Sequence, residues 1–130
     1  MKIKFLHLGI ACDDIAACKD FIKSAMEVVN ESETVFDENQ NASVCVLTLS
    51  SGAQLELITG PIVANFIKKG ITYYHTCYGV QNIETAVAFL KREHKASVIS
   101  EIKPGKLFNG RRAVFLYAPI GIIELLEDKQ

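Results

Sequence analysis

Two short stretches of this chain place a carboxylate among apolar neighbours. QLELI at 54–58 sets Glu56 between Leu55 and Leu57, and GIIELLED at 121–128 sets Glu124 between Ile122–Ile123 and Leu125–Leu126. Two further stretches place an imidazole in an apolar setting: His7 in KFLHLGIA and His75 in YYHTCYGV. Taken singly, each has a plain explanation. An alternating strand turns one face to water, and a lone histidine in an apolar strand is ordinarily a hydrogen-bonded core residue. Taken together, two imidazoles and two carboxylates form a nitrogen and oxygen donor set without sulfur. Such a set suits a five- or six-coordinate divalent metal with positions left for water or substrate, and nickel, cobalt, zinc, manganese and magnesium all fit. Two carboxylates also neutralise a 2+ ion, which lowers the cost of holding charge in an apolar interior. The remaining histidine, His94 in LKREHKAS, falls at a polar helix end and reads as solvated surface.

The elements that must position these side chains follow from local pattern. Residues 3–11 form a first strand, and Asp13–Asp14 open a helix carrying Ile15, Cys18, Phe21 and Ile22 at helical spacing. A weaker strand spans 28–36, FDENQNA is a turn, and VCVLTL at 44–49 is dense in β-branched residues. SSG at 50–52 turns that strand into QLELI, a hairpin. A Gly60–Pro61 break and a short helical piece, IVANFIKK, end at Gly70. From about residue 70 the order restarts. YYHTCYGV is a strand, Asn82 caps a helix with Ile83, Ala86, Val87 and Leu90, and SVISEI is the weaker strand. KPGKLFNG is a turn containing Asn109–Gly110, RAVFLY is the strong strand, and IIELL closes.

Each half therefore reads β-α-β-β-β, and one gapless shift of 68 residues superimposes them. It pairs His7 with His75, Ile15 with Ile83, Phe21 with Phe89, Ser32 with Ser100, Asn41 with Asn109, Val46 with Val114 and Glu56 with Glu124. Helix starts, hairpins and strong strands coincide at the same shift, which marks an internal duplication. The expected fold is α+β, a single domain over 1–130. It consists of two tandem βαβββ modules, about 1–60 and 70–130, joined by a short helical linker.

Composition narrows the partners. The chain has 130 residues, 49% of them apolar, enough for a sizeable core, and its net charge of −1 comes from interspersed residues. No basic stripe points to nucleic acid and no charge pattern to an anionic membrane. Apolar runs are far shorter than the roughly 18 residues of a membrane span. MKIKFLHLGI lacks a cleavable signal pattern. Cys12, Cys18, Cys45 and Cys77 have no CxxC spacing and read as reduced, mostly buried thiols. A cytoplasmic location is expected.

HLGIA, QLELI, YYHTCYGV and GIIELLE on a duplicated βαβββ plan resemble the vicinal-oxygen-chelate superfamily, in particular its glyoxalase I and methylmalonyl-CoA epimerase branch. The resemblance covers nearly the whole chain. It implies two modules curled into a half-open barrel around one divalent metal held by His7, Glu56, His75 and Glu124. It also implies a substrate with two adjacent oxygens and a base that removes a carbon-bound proton. Glu124 is the first choice for that base and Glu56 the second. By this resemblance the first reading is a glyoxalase I-like lyase. It converts the hemithioacetal of a 2-oxoaldehyde and a thiol into a 2-hydroxyacyl thioester through an enediolate. The alternative is an epimerase acting on a 2-substituted malonyl-CoA.

Two departures bear on the choice. Such epimerases carry an extra carboxylate near the strand matching VCVLTL, where this chain offers Ser43, Cys45 and Thr48. Many glyoxalases have an arginine just after the first ligand strand, where this chain has Ile10–Ala11, so the thiol carrier stays open. Arg111 and Arg112 could anchor a substrate carboxylate or phosphate, although charges at a strand start are more ordinarily solvated. Tyr73, Tyr74 and Tyr78 around His75 read as wall aromatics. A third reading, of another class, is a non-catalytic small-molecule-binding protein of the same fold, but those usually lack the four ligands. Barrel edges and apolar helix faces also permit a homodimer.

Overall fold

The structure, a computed structural model, describes residues 1–38 and 40–128. Its backbone divides into two compact units: one spans His7–Tyr74, and the other combines Met1–Leu6 with the chain from His75 onward. The elements of the first half are β1 (Lys4–Ala11), α1 (Ile15–Ala25), β2 (Val28–Glu31), β3 (Val35–Asp37), β4 (Ala42–Leu49) and β5 (Gln54–Thr59). A 3₁₀ turn (Pro61–Val63) and α2 (Ala64–Lys68) follow. The second half contains β6 (Tyr73–Val80), α3 (Ile83–His94), β7 (Ser97–Val98), β8 (Lys103–Pro104), a 3₁₀ turn (Lys106–Phe108), β9 (Arg112–Ala118) and β10 (Gly121–Glu127).

Both long helices start where the sequence places their caps. The Asp14 carboxylate accepts the N–H groups of Ala16 and Ala17, and the Asn82 side chain accepts that of Thr85. These bonds satisfy donors that the first turn of a helix leaves without an intrahelical partner. Gly60 ends the first hairpin with φ at 141°, and a Cβ there would meet the Asn41 carbonyl oxygen at 2.8 Å. Only glycine fits that position.

Within the first half the strand order is β2-β4-β5-β1, with β3 also paired to β4. The second half repeats it as β6-β10-β9-β7, with β8 also on β9. In both, the hairpin strands alternate cleanly between faces. Cys45, Leu47 and Leu57 pack with Ile15 and Ile22 of α1, while Val114, Leu116, Ile123 and Leu125 pack with Ile83, Ala86 and Leu90 of α3. Glu56 and Glu124 are offset by one residue from these core positions, so each points to the face turned away from its helix.

The weak strands differ from expectation. The single strand expected over 28–36 is two pieces, β2 and β3, both antiparallel to β4. SVISEI contributes only Ser97–Val98, and β8 supplies the second piece on β9. The break has the same cause in each half. The Ser32 hydroxyl accepts the Val46 N–H at 2.8 Å and donates to the Glu33 carbonyl. Likewise the Ser100 hydroxyl accepts the Phe115 N–H at 2.9 Å and donates to the Glu101 carbonyl. A side-chain hydroxyl thus stands in for a strand's own acceptor where the edge strand bends away.

The repeated serine also corrects the self-alignment. The partner of Val46 is Phe115, not Val114. Val46 lies opposite Glu56 and Phe115 opposite Glu124. The connection between β8 and β9 is longer than that between β3 and β4, and the β9–β10 reversal is shorter than the β4–β5 turn. The strong strand therefore slips by one residue between the copies, and a one-residue slip exchanges faces. Ser32→Ala should lower unfolding stability by about 1–2 kcal/mol, because it leaves the Val46 N–H without its acceptor. Urea denaturation measures this, and an unchanged midpoint would contradict the role given to the hydroxyl.

Candidate metal centre

The two halves build the same pair. In the unit His7–Tyr74, β1 and β5 run parallel with Gly9 beside Glu56, so His7 stands two residues earlier on the same face. His7 Nε2 lies 3.4 Å from Glu56 Oε1. In the other unit β6 and β10 run parallel with Cys77 beside Glu124, and His75 again stands two residues earlier. There His75 Nε2 lies 3.2 Å from Glu124 Oε1.

Burial removes the solvent explanation for the glutamates. Glu56 and Glu124 are each 2% exposed, His7 1% and His75 3%. A carboxylate in an apolar sheet interior is tolerated only with a partner that meets its charge. Each has an imidazole nitrogen at hand, and Nε2 and carboxylate oxygen are the atoms a hard or borderline divalent ion takes. The donors present in each half therefore fit a metal ion.

Other residues singled out in the sequence have distinct places. Arg112 donates through Nη1 and Nη2 to both oxygens of Glu84, and through Nε and Nη2 to Glu127. Glu127 Oε2 in turn accepts the Ile83 N–H at the start of α3. Arg111 donates through Nε to the Glu127 carbonyl. Arg112 thus clamps α3 to the end of β10. Tyr73 is exposed, Tyr74 is buried edge-to-face against Phe66, and Tyr78 pairs with Phe5. His94 sits in the last turn of α3 beside Phe89. No disulfide joins the four cysteines, and burial first, then the hydrogen bond with Cys18, pushes the Cys12 thiol up to about 12.

Two buried acids escaped the sequence reasoning. Glu127, 7% exposed, was visible only as one more acid after IIELL, and its role depends on Arg112 reaching it across the β9–β10 pair. Asp37, 2% exposed at the end of β3, accepts from Gln40 Nε2 across the turn into β4. FDENQNA marked a turn, but nothing in it singled out Asp37 as the buried member. A groove of about 590 Å³, lined by Lys2, Lys4, Asn82 and Asp128 among others, includes none of the four His and Glu residues.

A profile of the glyoxalase/bleomycin resistance protein/dioxygenase superfamily matches residues 6–115, most of the chain. The chain belongs to that superfamily. Its mixed α+β build and duplicated modules agree with the membership. No curated protein matches the chain by sequence. Among solved structures, a hypothetical protein from Bacillus halodurans C-125 is similar at 22% identity and TM-score 0.76, covering 100% of this chain and 97% of that one. Methylmalonyl-CoA epimerase from Mycobacterium tuberculosis is similar at 20% identity and TM-score 0.75, covering 98% and 89%. A variant of the Streptomyces coelicolor methylmalonyl-CoA epimerase, in complex with 2-nitronate-propionyl-CoA, is similar at 22% identity and TM-score 0.75, covering 99% and 100%. These likenesses establish the fold. Among the described residues no helix is long and apolar enough to cross a membrane.

The clamp gives a pH signature. The Arg112 guanidinium beside them holds the carboxyls of Glu84 and Glu127 below the usual value of 4.5, and the Ile83 N–H adds to this at Glu127. A depressed carboxyl stabilises the folded state above its unfolded pKa and loses that contribution as pH falls through the lower folded value. Glu127→Gln should therefore lower Tm by several degrees at pH 7, with the difference shrinking below about pH 4. Melting curves at both pH values measure it, and a gap that widens in acid would contradict the assignment.

Proposed function

We propose that this protein is a metal-dependent enzyme that moves a proton at a carbon next to a thioester or ketone carbonyl. Each of the four residues His7, Glu56, His75 and Glu124 offers one ligand atom and is buried, and in the proposal all four serve one divalent ion. The observation that carries the reading is the duplicated, buried His–Glu pair, present in both halves with the same spacing. When bound, the ion supplies Lewis-acid stabilisation of the oxyanion that develops on the substrate, several kcal/mol of a barrier that a carboxylate base alone does not overcome.

The protein's own groups do the rest. Glu124 takes the proton from carbon, with Glu56 as the second choice. In a hemithioacetal isomerisation the same carboxylate returns it to the neighbouring carbon, whereas in an epimerisation the proton that completes the reaction comes to the opposite face. The imidazoles fix the ligand geometry, and the apolar strands around them exclude bulk water. The favoured substrate is a 2-substituted malonyl-CoA, epimerised at its α-carbon. Support comes from the solved structures named methylmalonyl-CoA epimerase that match nearly the full chain.

A second reading rests on a specific feature. The residues of β4 on the Glu56 face are Ala42, Val44, Val46 and Thr48, and none is acidic. Epimerisation calls for proton donors on opposite faces of the carbanion, whereas a glyoxalase I-like isomerisation of a 2-oxoaldehyde–thiol hemithioacetal can run with one carboxylate as shuttle. Two assays on metal-loaded protein separate them. One follows deuterium uptake at C2 of methylmalonyl-CoA, and the other follows thioester formation from methylglyoxal and a thiol. Exchange in the first supports the epimerase and turnover in the second the lyase, while activity in neither with metal bound rejects both. Glu124→Gln should reduce the active assay by about 10²–10⁴-fold with metal retained, and near-normal turnover would remove Glu124 as the base.

A further inference from the structure

On the face that carries Glu124, the hairpin adds one more side chain. Phe115 lies directly opposite Glu124 in the antiparallel β9–β10 pair. Residues so paired project to the same side of the sheet. The Phe115 ring meets the His75 imidazole edge to face, with centroids 5.1 Å apart and planes at 87°. His75 is thus engaged from two directions, by Glu124 Oε1 at 3.2 Å from Nε2 and by the ring. Phe115 is 8% exposed, and the Ser100 hydroxyl pins its backbone N–H.

The first half repeats this arrangement with one change. The Ser32 hydroxyl pins the Val46 N–H, and Val46 lies opposite Glu56, but valine brings two methyl groups where the second half has a ring. The two copies therefore differ in the side chain set opposite the glutamate. An edge-to-face contact is directional, because the positive ring edge seeks the negative face.

We infer that Phe115 is a positioning residue, whose ring fixes the plane of the His75 imidazole and keeps Nε2 aimed at the ligand position. The inference rests on the reading of His75 as a ligand. Groups that orient a ligating imidazole commonly affect metal affinity by about 10–100-fold.

The test uses the full chain and two readouts. Phe115→Leu keeps an apolar side chain but removes the ring, Phe115→Tyr restores it, and Val46→Leu is the matched control in the other half. NMR of the metal-free protein follows the His75 ring protons, and calorimetry follows Co²⁺ binding. Phe115→Leu should move the His75 ring resonances and weaken Co²⁺ binding by about 10-fold. Phe115→Tyr should restore both, and Val46→Leu should leave the His75 resonances in place. Loss of the ring current by itself shifts the His75 protons, so the affinity decides: wild-type Co²⁺ binding in Phe115→Leu would overturn the inference. If the resonances move but neither wild type nor variant binds Co²⁺, the ring contact is upheld and the metal reading fails.

Discussion

A carboxylate buried between leucines must find a counter-charge, and much of this chain is arranged to meet that demand. Glu56 and Glu124 are each 2% exposed and each has an imidazole nitrogen within 3.4 Å. Parallel pairing of β1 with β5, and of β6 with β10, brings that imidazole two residues before the position beside the glutamate. The crossover between parallel strands needs a helix, and α1 and α3 cover the opposite face. Site face and core face are therefore two sides of one decision about register.

The hairpins show how that register is kept. A serine hydroxyl holds the residue opposite each glutamate, and the edge strand breaks there in both halves. A slip by one residue would send Glu56 or Glu124 toward its helix and Leu57 or Leu125 toward the donors. The second half adds a clamp of its own, in which Arg112 ties Glu84 at the start of α3 to Glu127 at the end of β10. Duplication supplied the symmetric parts, while Phe115 in place of Val46 and the Arg112 clamp are where the copies have diverged.

The duplicated plan, the helix caps and the four candidate donors were legible in the sequence because they repeat at one spacing. Periodicity identifies strands and helices, and repetition turned four individually ordinary polar residues into a set. What was not legible depends on partners remote in sequence. The equivalence of Val46 with Phe115 was hidden because loops of different length shift β9 by one residue against a gapless alignment. The weak strand over 28–36 gave no sign of its break, since Ser32 looks like any polar residue until Val46 is placed beside it. Glu127 and Asp37 were indistinguishable from surface acids. In sequence Arg112 looks like a solvated charge or substrate anchor, because Glu84 and Glu127 lie far from it along the chain. The choice between an acyl-CoA and a hemithioacetal substrate turns on features outside the four donors, which both reactions share.

The central claim is that both His–Glu pairs serve a single divalent ion. The most direct measurement is metal stoichiometry by native mass spectrometry on wild type, His7→Ala and His75→Ala. The account predicts one ion per chain in wild type and its loss in either variant alone. Two ions per chain, or a variant that keeps its ion when one pair is broken, would contradict it.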